Sequence, residues 1–167
     1  MLTTQDNGQT VPCLPIICNT INMEQYAETQ QELTLNDIKE IEKEFGVDIP
    51  QDMKAHYLQN NGGFPPYNRI KADKYILSID GFIPLKYGIC NISKLSADYQ
   101  KSGLLFANML PFANDEGGNI YLIDLDHNRL YGSIYLWFSE SDDTYIDNML
   151  YVCDSFAHFI SSMFEDN

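Results

Sequence analysis

Residues 47–67, VDIPQDMKAHYLQNNGGFPPY, carry the signals that decide how this chain folds. Pro50 stands where a helix can begin, because its ring fixes φ and its missing N–H would be unpaired in the first helical turn. Asp52 then places a negative charge near the positive end of the helix dipole. Residues 60–63, Asn-Asn-Gly-Gly, end the helix, because both residue types tolerate the left-handed conformation found at helix C-termini. The stretch therefore predicts a helix and an abrupt turn, with Gly62 or Gly63 in a left-handed conformation.

A second helix is predicted immediately before this stretch. Thr34 and Asp37 stand three residues apart, which resembles a capping box with Asp in place of Glu. Apolar residues then follow at helical spacing, at Ile38, Ile41 and Phe45. Gly46 ends this run, so the sequence predicts two helices within residues 35–60, joined by a tight link.

Beyond the diproline Pro65-Pro66 the hydrophobic period changes, and short extended segments are expected. Residues 75–85 are rich in strand formers, and residues 109–112 form a short apolar piece. Residues 120–125 and 130–138 predict an antiparallel hairpin. Both of its strands carry apolar residues on both faces, so part of the sheet should be covered on both sides.

Two further helices are predicted in the second half of the chain. Asn91 can cap a short helix that continues to Tyr99. Asp154 is expected to cap the last helix, which has a broad apolar stripe. The residues of this stripe are Phe156, Phe159, Ile160, Met163 and Phe164. Another apolar piece stands at residues 104–106.

These elements predict an α+β fold in a single domain, with a mostly antiparallel, twisted sheet and helices packed mainly on one side. Residues 1–33 are expected to form an N-terminal arm, with a short helix over residues 20–33, and residues 34–167 the domain itself. A chain of 167 residues can bury roughly 70% of the surface that its unfolded form exposes. The chain is therefore long enough for one substantial hydrophobic core.

The composition favours a cytoplasmic protein. No apolar run approaches the eighteen or more residues that a membrane helix needs. The first basic residue is Lys39, so the start of the chain lacks the basic region of a secretory signal. The four cysteines show no close pairing pattern and are expected to be reduced. They are Cys13, Cys18, Cys90 and Cys153.

The net charge of −14 is distributed unevenly. Residues 102–167 contain eleven acidic residues and a single base, Arg129. Such a surface disfavours direct binding to nucleic acid, because phosphates require Lys and Arg. It favours a basic protein partner, although acidic residues that serve only solubility are the alternative.

Three sets of residues, in this order, resemble the motifs of the SUKH superfamily. The first set is Gly46, Ile49-Pro50, Asp52, Tyr57 and Asn61-Gly62-Gly63. The second is Leu110-Pro111-Phe112-Ala113 followed by Gly117-Gly118-Asn119. The third is Asp154-Ser155-Phe156 with Phe159. The pattern usually has an aromatic near the start of the second helix, where this chain has Met53 and Lys54.

The resemblance implies a non-enzymatic protein-binding module without a cofactor. The superfamily includes fungal cell-wall-assembly regulators of the Smi/Knr type, Syd-like proteins and many bacterial immunity proteins. An immunity protein binds a polymorphic or contact-delivered toxin, often a nuclease, and blocks it. The acidic composition agrees with this role, because a nuclease presents a basic surface to its substrate. The alternative is a regulatory or scaffold protein like the fungal members.

The residue types that carry chemistry do not form a catalytic pattern in this sequence. Neither His56, His127 and His158 nor the cysteines show the spacing of a metal site, so no metal is expected. No nucleophile stands in a catalytic motif. Asp124 and Asp126 could do acid–base work with His127, which leaves a hydrolase as a remote alternative. Solvated turn residues are the preferred interpretation, and His56 and His158 are expected at the surface or boundary of their helices.

The partner-binding candidates follow from charge density and expected loop exposure. The acidic candidates are Asp115, Glu116, Asp124, Asp126, Glu140, Asp142 and Asp143. Trp137, flanked by Tyr135 and Phe138, is a binding hot spot or a core residue, and the sequence leaves both interpretations open. The glycines of residues 60–63 and 115–118 are expected to be structural, because they supply turn conformations.

Overall fold

The computed structural model describes residues 25–101, 108–139 and 148–165. In this part of the chain four helices and eight strands form the single α+β domain expected from the sequence. The helices are α1 (Leu35–Phe45), α2 (Gln51–Gln59), α3 (Ile92–Lys101) and α4 (Phe156–Ser161). The strands are β1 (Arg69–Ala72), β2 (Tyr75–Ser78), β3 (Gly81–Phe82), β4 (Met109–Asn114), β5 (Ile120–Asp124), β6 (Ile134–Trp137), β7 (Met149–Cys153) and β8 (Met163–Phe164).

The strands form two antiparallel sheets. The larger sheet has the order β3-β4-β5-β6-β7, and the smaller one the order β2-β1-β8. Isolated bridges extend the larger sheet beyond β3, since Phe82 pairs with Gly63 and Phe64 pairs with Ala27. The register between β4 and β5 shifts between Pro111 and Ala113, so the motif residue Pro111 lies at an irregularity of the sheet. A proline is tolerated there because a bulge interrupts the ladder of hydrogen bonds.

The two helices predicted around residues 35–60 are confirmed. Asp37 N donates to Thr34 Oγ1, and the Asp37 carboxylate accepts from Thr34 N at 2.8 Å, which completes the capping box. Gly46 closes α1 with φ of 66°, the left-handed conformation that glycine adopts without a steric penalty. Pro50 immediately precedes α2, as its fixed φ and missing N–H predict.

The main core lies between the larger sheet and helices α2 and α4. Phe159 of α4 packs edge-on against Phe112 of β4 and Tyr121 of β5, with ring centroids 5.1 Å apart in both pairs. Tyr57 of α2 is fully buried, and its hydroxyl lies 3.0 Å from the carbonyl oxygen of Ile83 and 3.1 Å from that of Phe112. Each large ring removed from water stabilises the fold by about 2–3 kcal/mol.

The opposite face of the sheet is covered as well. Ile120 and Leu122 of β5 form a second buried cluster with Trp137 of β6. Tyr99 of α3 packs edge-on against Trp137, with ring centroids 5.8 Å apart. All five residues of β5 are buried. The prediction that this part of the sheet is covered on both sides is therefore confirmed.

Two expectations for the C-terminal helix are wrong. The helix ends at Ser161, and Met163 and Phe164 form β8, which pairs with β1. Apolar spacing over so few residues cannot distinguish a last helical turn from a two-residue strand. The cap is Ser155 rather than Asp154, because the Ser155 hydroxyl accepts from His158 N at 3.2 Å.

The expected helix over residues 20–33 is wrong for residues 25–33, which form an irregular segment with a bridge at Ala27. Residues 20–24 and the apolar piece at residues 104–106 lie outside the described residues. Strands β1 and β7 were not predicted, because each is short and β1 contains two basic residues. The boundary between arm and domain stays a prediction.

Candidate protein-binding surface

Asp115 does not lie exposed at the surface, contrary to the prediction. It is 9% exposed, and its Oδ1 accepts from the backbone N–H groups of Gly117 and Asn119, both at 2.8 Å. Its Oδ2 accepts from Asn119 Nδ2 at 2.8 Å. The carboxylate therefore closes the turn between β4 and β5, in which Gly118 has φ of 81°. The neighbouring Glu116 is exposed, and Arg69 Nη1 donates to its Oε1 at 3.1 Å.

Asp124 is also buried, so its expected exposure is wrong. It is 2% exposed at the end of β5, where its Oδ1 accepts from Asp126 N at 2.9 Å and from Arg129 Nη2 at 3.0 Å. Asp126 is half-buried, and its Oδ1 accepts from Asn128 N at 2.9 Å. This backbone hydrogen bond, the largest cause, lowers the pKa of Asp126 below the ordinary value. Both carboxylates thus hold the turn between β5 and β6.

His127 follows these carboxylates but does not join them. Its ring stacks on Tyr131 with centroids 4.2 Å apart, and the Tyr131 hydroxyl donates to the carbonyl oxygen of Asp48 at 2.8 Å. Asp124 and Asp126 share Arg129 and hold one turn, whereas His127 stacks on Tyr131, so the three residues do not form one site. The geometry therefore does not favour the hydrolase alternative.

Trp137 belongs to the core, which decides between its two interpretations. The side chain is 5% exposed and lies in the second buried cluster described above. The following residue, Phe138, is 39% exposed. The indole cannot serve as a binding hot spot unless the cluster opens.

Glu140, Asp142 and Asp143 lie outside the described residues, so their role as partner-binding candidates stays a prediction. Among the other acidic candidates, Glu116 is exposed and Asp126 is half-buried. The structure therefore leaves fewer free carboxylates around the hairpin than the charge density indicates. The difference arises because sequence reveals a charge but not the hydrogen bonds that it accepts.

Asn61 connects three segments of the chain. Its Nδ2 donates to the carbonyl oxygens of Gln31 and Lys86, both at 2.8 Å, and its Oδ1 accepts from Leu85 N at 3.0 Å. The side chain is 2% exposed, so it satisfies buried backbone groups that water does not reach. Gly62 and Gly63 follow with φ of 75° and 97°, which confirms the left-handed conformation predicted for this turn.

An ionic network beside this turn was not predicted. Lys86 Nζ lies 2.6 Å from Asp37 Oδ1 and 2.6 Å from Glu40 Oε2, and the Tyr87 hydroxyl donates to Asp37 Oδ1 at 2.9 Å. Lys86 holds the pKa of the Asp37 carboxyl well below its usual range. No sequence signal joins residues 49 positions apart, so α1 and the loop after Leu85 could not be connected beforehand.

His56 is surrounded by aromatic rings at the boundary of α2. Its ring centroid lies 5.1 Å from that of Tyr26 and 5.2 Å from those of Phe82 and Phe156. Burial lowers the pKa of His56 to about 4, so the imidazole is neutral at neutral pH. Among the described residues none forms a hydrogen bond with its Nε2. His158, in contrast, is exposed as predicted and lies 3.0 Å from the Asp154 carboxylate.

The thiol of Cys153 is unsuited to nucleophilic attack. Cys153 is buried, and this burial raises its pKa to about 11, so the thiol stays protonated at neutral pH. Cys90 is exposed, and both cysteines are free, as expected for reduced thiols. Cys13 and Cys18 lie outside the described residues. No group of three or more His, Cys, Asp or Glu in the described part of the chain could hold a metal ion.

A surface groove of about 420 Å³ lies beside the turn that contains Asn61. Three segments contribute to it: Glu28 and Gln30, then Gly63 and Phe64, and finally Pro84 with residues 88–90. We call it the Gly63 groove. Ile89 stands at its edge and is 93% exposed. The sequence predicted the turn but not the groove, because its walls come from segments distant in the chain.

A family model matches this chain. The family model described as SMI1 / KNR4 family (SUKH-1) matches residues 32–162, which is most of the chain. A search of curated proteins finds no match. None of the helices in residues 25–101, 108–139 and 148–165 has the length and apolar character required to cross a bilayer.

Proposed function

Because the chain belongs to the SMI1 / KNR4 family (SUKH-1), we propose that it is a protein-binding module that acts as an immunity protein. In this role it binds a toxin domain in the cytoplasm and blocks its activity. The toxin domain is basic and of the nuclease type. No cofactor or metal takes part in the interaction.

The observation that carries this proposal is the charge of the chain. The net charge is −14, and residues 102–167 contain a single base among eleven acidic residues. A toxin that cleaves nucleic acid must present Lys and Arg to the phosphates. An acidic protein can cover that surface, and the opposite charges accelerate the encounter.

The chemistry of the described side chains supports binding rather than catalysis. Asp124 and Asp126 accept hydrogen bonds that hold a turn, and Arg129 compensates the charge of Asp124. The Cys153 thiol is protonated and His56 is enclosed by aromatic rings. Each of these groups has a structural task in the fold.

The test begins with the gene beside that for this chain, which we expect to encode a protein with a toxin domain. Co-expression of the chain should restore growth to cells that produce the toxin domain, and the two purified proteins should form a stable complex. Absence of both protection and complex formation would contradict the proposal. A metabolic gene in the neighbouring position would instead favour the regulatory or scaffold alternative.

A charge-neutralising variant tests which acidic residues matter. Glu140→Gln, Asp142→Asn and Asp143→Asn together should lower the association rate about ten-fold at low salt, because charges at the edge of an interface act mainly on the rate of encounter. The measurement is association kinetics with the toxin domain at two ionic strengths, since salt screens such charges.

The matched control changes the net charge equally in the first part of the chain. It combines the exposed residues Glu44→Gln, Asp73→Asn and Asp98→Asn. This control should retain most of the association rate. Equal rates for both triple variants would mean that only the total charge matters, and salt-independent binding would remove electrostatic steering from the proposal.

A further inference from the structure

The Gly63 groove is built by the same turn that carries the family motif. Asn61 donates to the carbonyl oxygens of Gln31 and Lys86, and so it holds two of the contributing segments against the third. Gln30 N also donates to Asn61 O at 3.0 Å. The groove therefore has a fixed shape before any partner arrives. Such preformed sites bind with less loss of conformational freedom.

Two residues beside the groove have left-handed backbone conformations that their side chains disfavour. Glu28 has φ of 55° and Tyr87 has φ of 64°. Such conformations cost about 1–3 kcal/mol each and persist where the surrounding structure enforces them, often at functional sites. Here the Ala27–Phe64 bridge and the hydrogen bond from the Tyr87 hydroxyl to Asp37 enforce them. Asn108, beside the acidic hairpin, also has a positive φ of 58°, but asparagine tolerates this conformation better than Glu or Tyr. The two disfavoured residues therefore support the Gly63 groove as a functional surface.

The loop after Tyr87 presents an apolar side chain to solvent. Ile89 is 93% exposed, and Lys94 Nζ donates to its carbonyl oxygen at 2.9 Å, which fixes the loop on α3. Phe64, also in the groove lining, is 43% exposed. A protruding apolar residue beside a concave apolar surface suits a protein partner. Such a partner can enclose Ile89 and fill the Gly63 groove. A small ligand in the groove would leave Ile89 in water.

We propose that the Gly63 groove is the docking site for an apolar side chain of the toxin domain, with a Lys or Arg beside it that pairs with Glu28. Ile89 inserts into the partner in return. This inference rests on the proposed function and names the surface that performs it. We expect the partner to contribute a Lys or Arg because Glu28 is the charged residue in the groove lining and the chain as a whole is acidic.

The test compares two exposed isoleucines in the full-length chain. Ile89→Ser should weaken binding of the toxin domain about ten-fold or more, because a few hot-spot residues provide most of the affinity of an interface. The matched control is Ile76→Ser in β2 of the smaller sheet, where Ile76 is 66% exposed. This control should leave the affinity unchanged. Glu28→Gln should lower it less than Ile89→Ser and reduce its dependence on salt.

A second arm does not require the toxin. A display library of random twelve-residue peptides is selected on the wild-type chain, and each recovered peptide is then measured against the Ile89→Ser and Ile76→Ser variants. Peptides with an apolar residue next to Lys or Arg should be recovered and should lose at least ten-fold affinity for Ile89→Ser only. Recovery of no such peptide overturns the docking proposal, and so does equal toxin affinity of the two variants.

The outcomes separate the groove from the proposed function. If wild type and Ile89→Ser bind the toxin equally, the docking proposal is wrong and the proposed immunity function is retained. If the toxin does not bind but groove-dependent peptides do, the proposed immunity function is wrong and the Gly63 groove is retained as a protein-binding surface. The melting temperature of Ile89→Ser should equal that of wild type. A clear decrease would mean that the chain itself covers Ile89, which also overturns the docking proposal.

Discussion

The turn of residues 60–64 and the turn of residues 115–119 both combine Asn or Asp with two consecutive glycines. In the first, Asn61 bonds to backbone groups 24–30 residues away along the chain. In the second, the Asp115 carboxylate accepts from Gly117 N and from Asn119 N and Nδ2, all within its own turn. One turn thus joins distant segments, and the other closes a hairpin.

The space around the glycines differs in the same way. A Cβ atom on Gly62 would lie 2.7 Å from the ring and backbone nitrogen of Pro84, and one on Gly63 would meet the carbonyl oxygen of Ala27. A Cβ atom on Gly118 would find no atom within 4 Å, although its φ is also positive. Similar motifs therefore contain glycine for two reasons, close approach in one turn and backbone conformation alone in the other.

The largest expected effect is that of Gly62→Val. Backbone strain of about 1–3 kcal/mol and overpacking against Pro84 of about 1–3 kcal/mol together predict a loss of about 2–6 kcal/mol of unfolding free energy. Urea denaturation measures it. A loss below 1 kcal/mol would mean that the turn can relax away from Pro84.

Asn61→Ala should destabilise by about 2–4 kcal/mol, because it leaves two carbonyl groups and the buried N–H of Leu85 without their partner. Asp115→Ala is the matched comparison, since it also removes three hydrogen bonds. The donors are Gly117, which is exposed, and Asn119, which is half-buried, so water can replace these bonds in part and the loss should be about 1–2 kcal/mol. Equal losses in urea denaturation would contradict the distinction between the two turns.

These contrasts show which parts of the structure the sequence could predict. Local rules were sufficient for the Thr34 capping box, the Gly46 terminus and the left-handed glycines, because each involves residues within a few positions. They could not reveal that Asn61 contacts Lys86, nor that Asp124 is buried with Arg129 beside it. Those facts depend on which segments meet in the folded chain. The pairing of Met163 with β1 was missed for the same reason.

Acidification should lower the unfolding free energy through His56, which lies next to the first turn. Its carbonyl oxygen accepts from Asn60 N at 2.9 Å. The folded chain lowers the pKa of His56 from 6.5 to about 4. The unfolded state therefore binds more protons below pH 6.5, and stability present above that pH is progressively lost as the pH falls towards 4. Between pH 7.5 and pH 5 the loss should be about 2 kcal/mol.

The variant His56→Phe isolates this contribution, because it retains an aromatic ring among Tyr26, Phe82 and Phe156 without a titrating group. Its unfolding free energy should change about 2 kcal/mol less than that of wild type over this pH range. Asp37, whose pKa is held below its usual range by Lys86, loses its contribution only as the pH falls below about 4. An identical pH dependence of variant and wild type would show that the ring accepts a proton in the folded chain.

The smallest expected effect is that of Gly118→Asn, which separates the need for a left-handed backbone from the need for space around the glycine. Asparagine tolerates positive φ better than other residues with a Cβ atom. Gly118→Asn should therefore change the unfolding free energy by no more than about 0.5 kcal/mol, as expected for an exposed position. Gly62→Asn has the same backbone preference but places a Cβ atom against Pro84, and it should still cost about 1–3 kcal/mol. Urea denaturation of both variants at pH 7.5 provides the measurement. If both are tolerated, the close approach to Pro84 is not a constraint, and the first turn requires glycine only for its left-handed backbone.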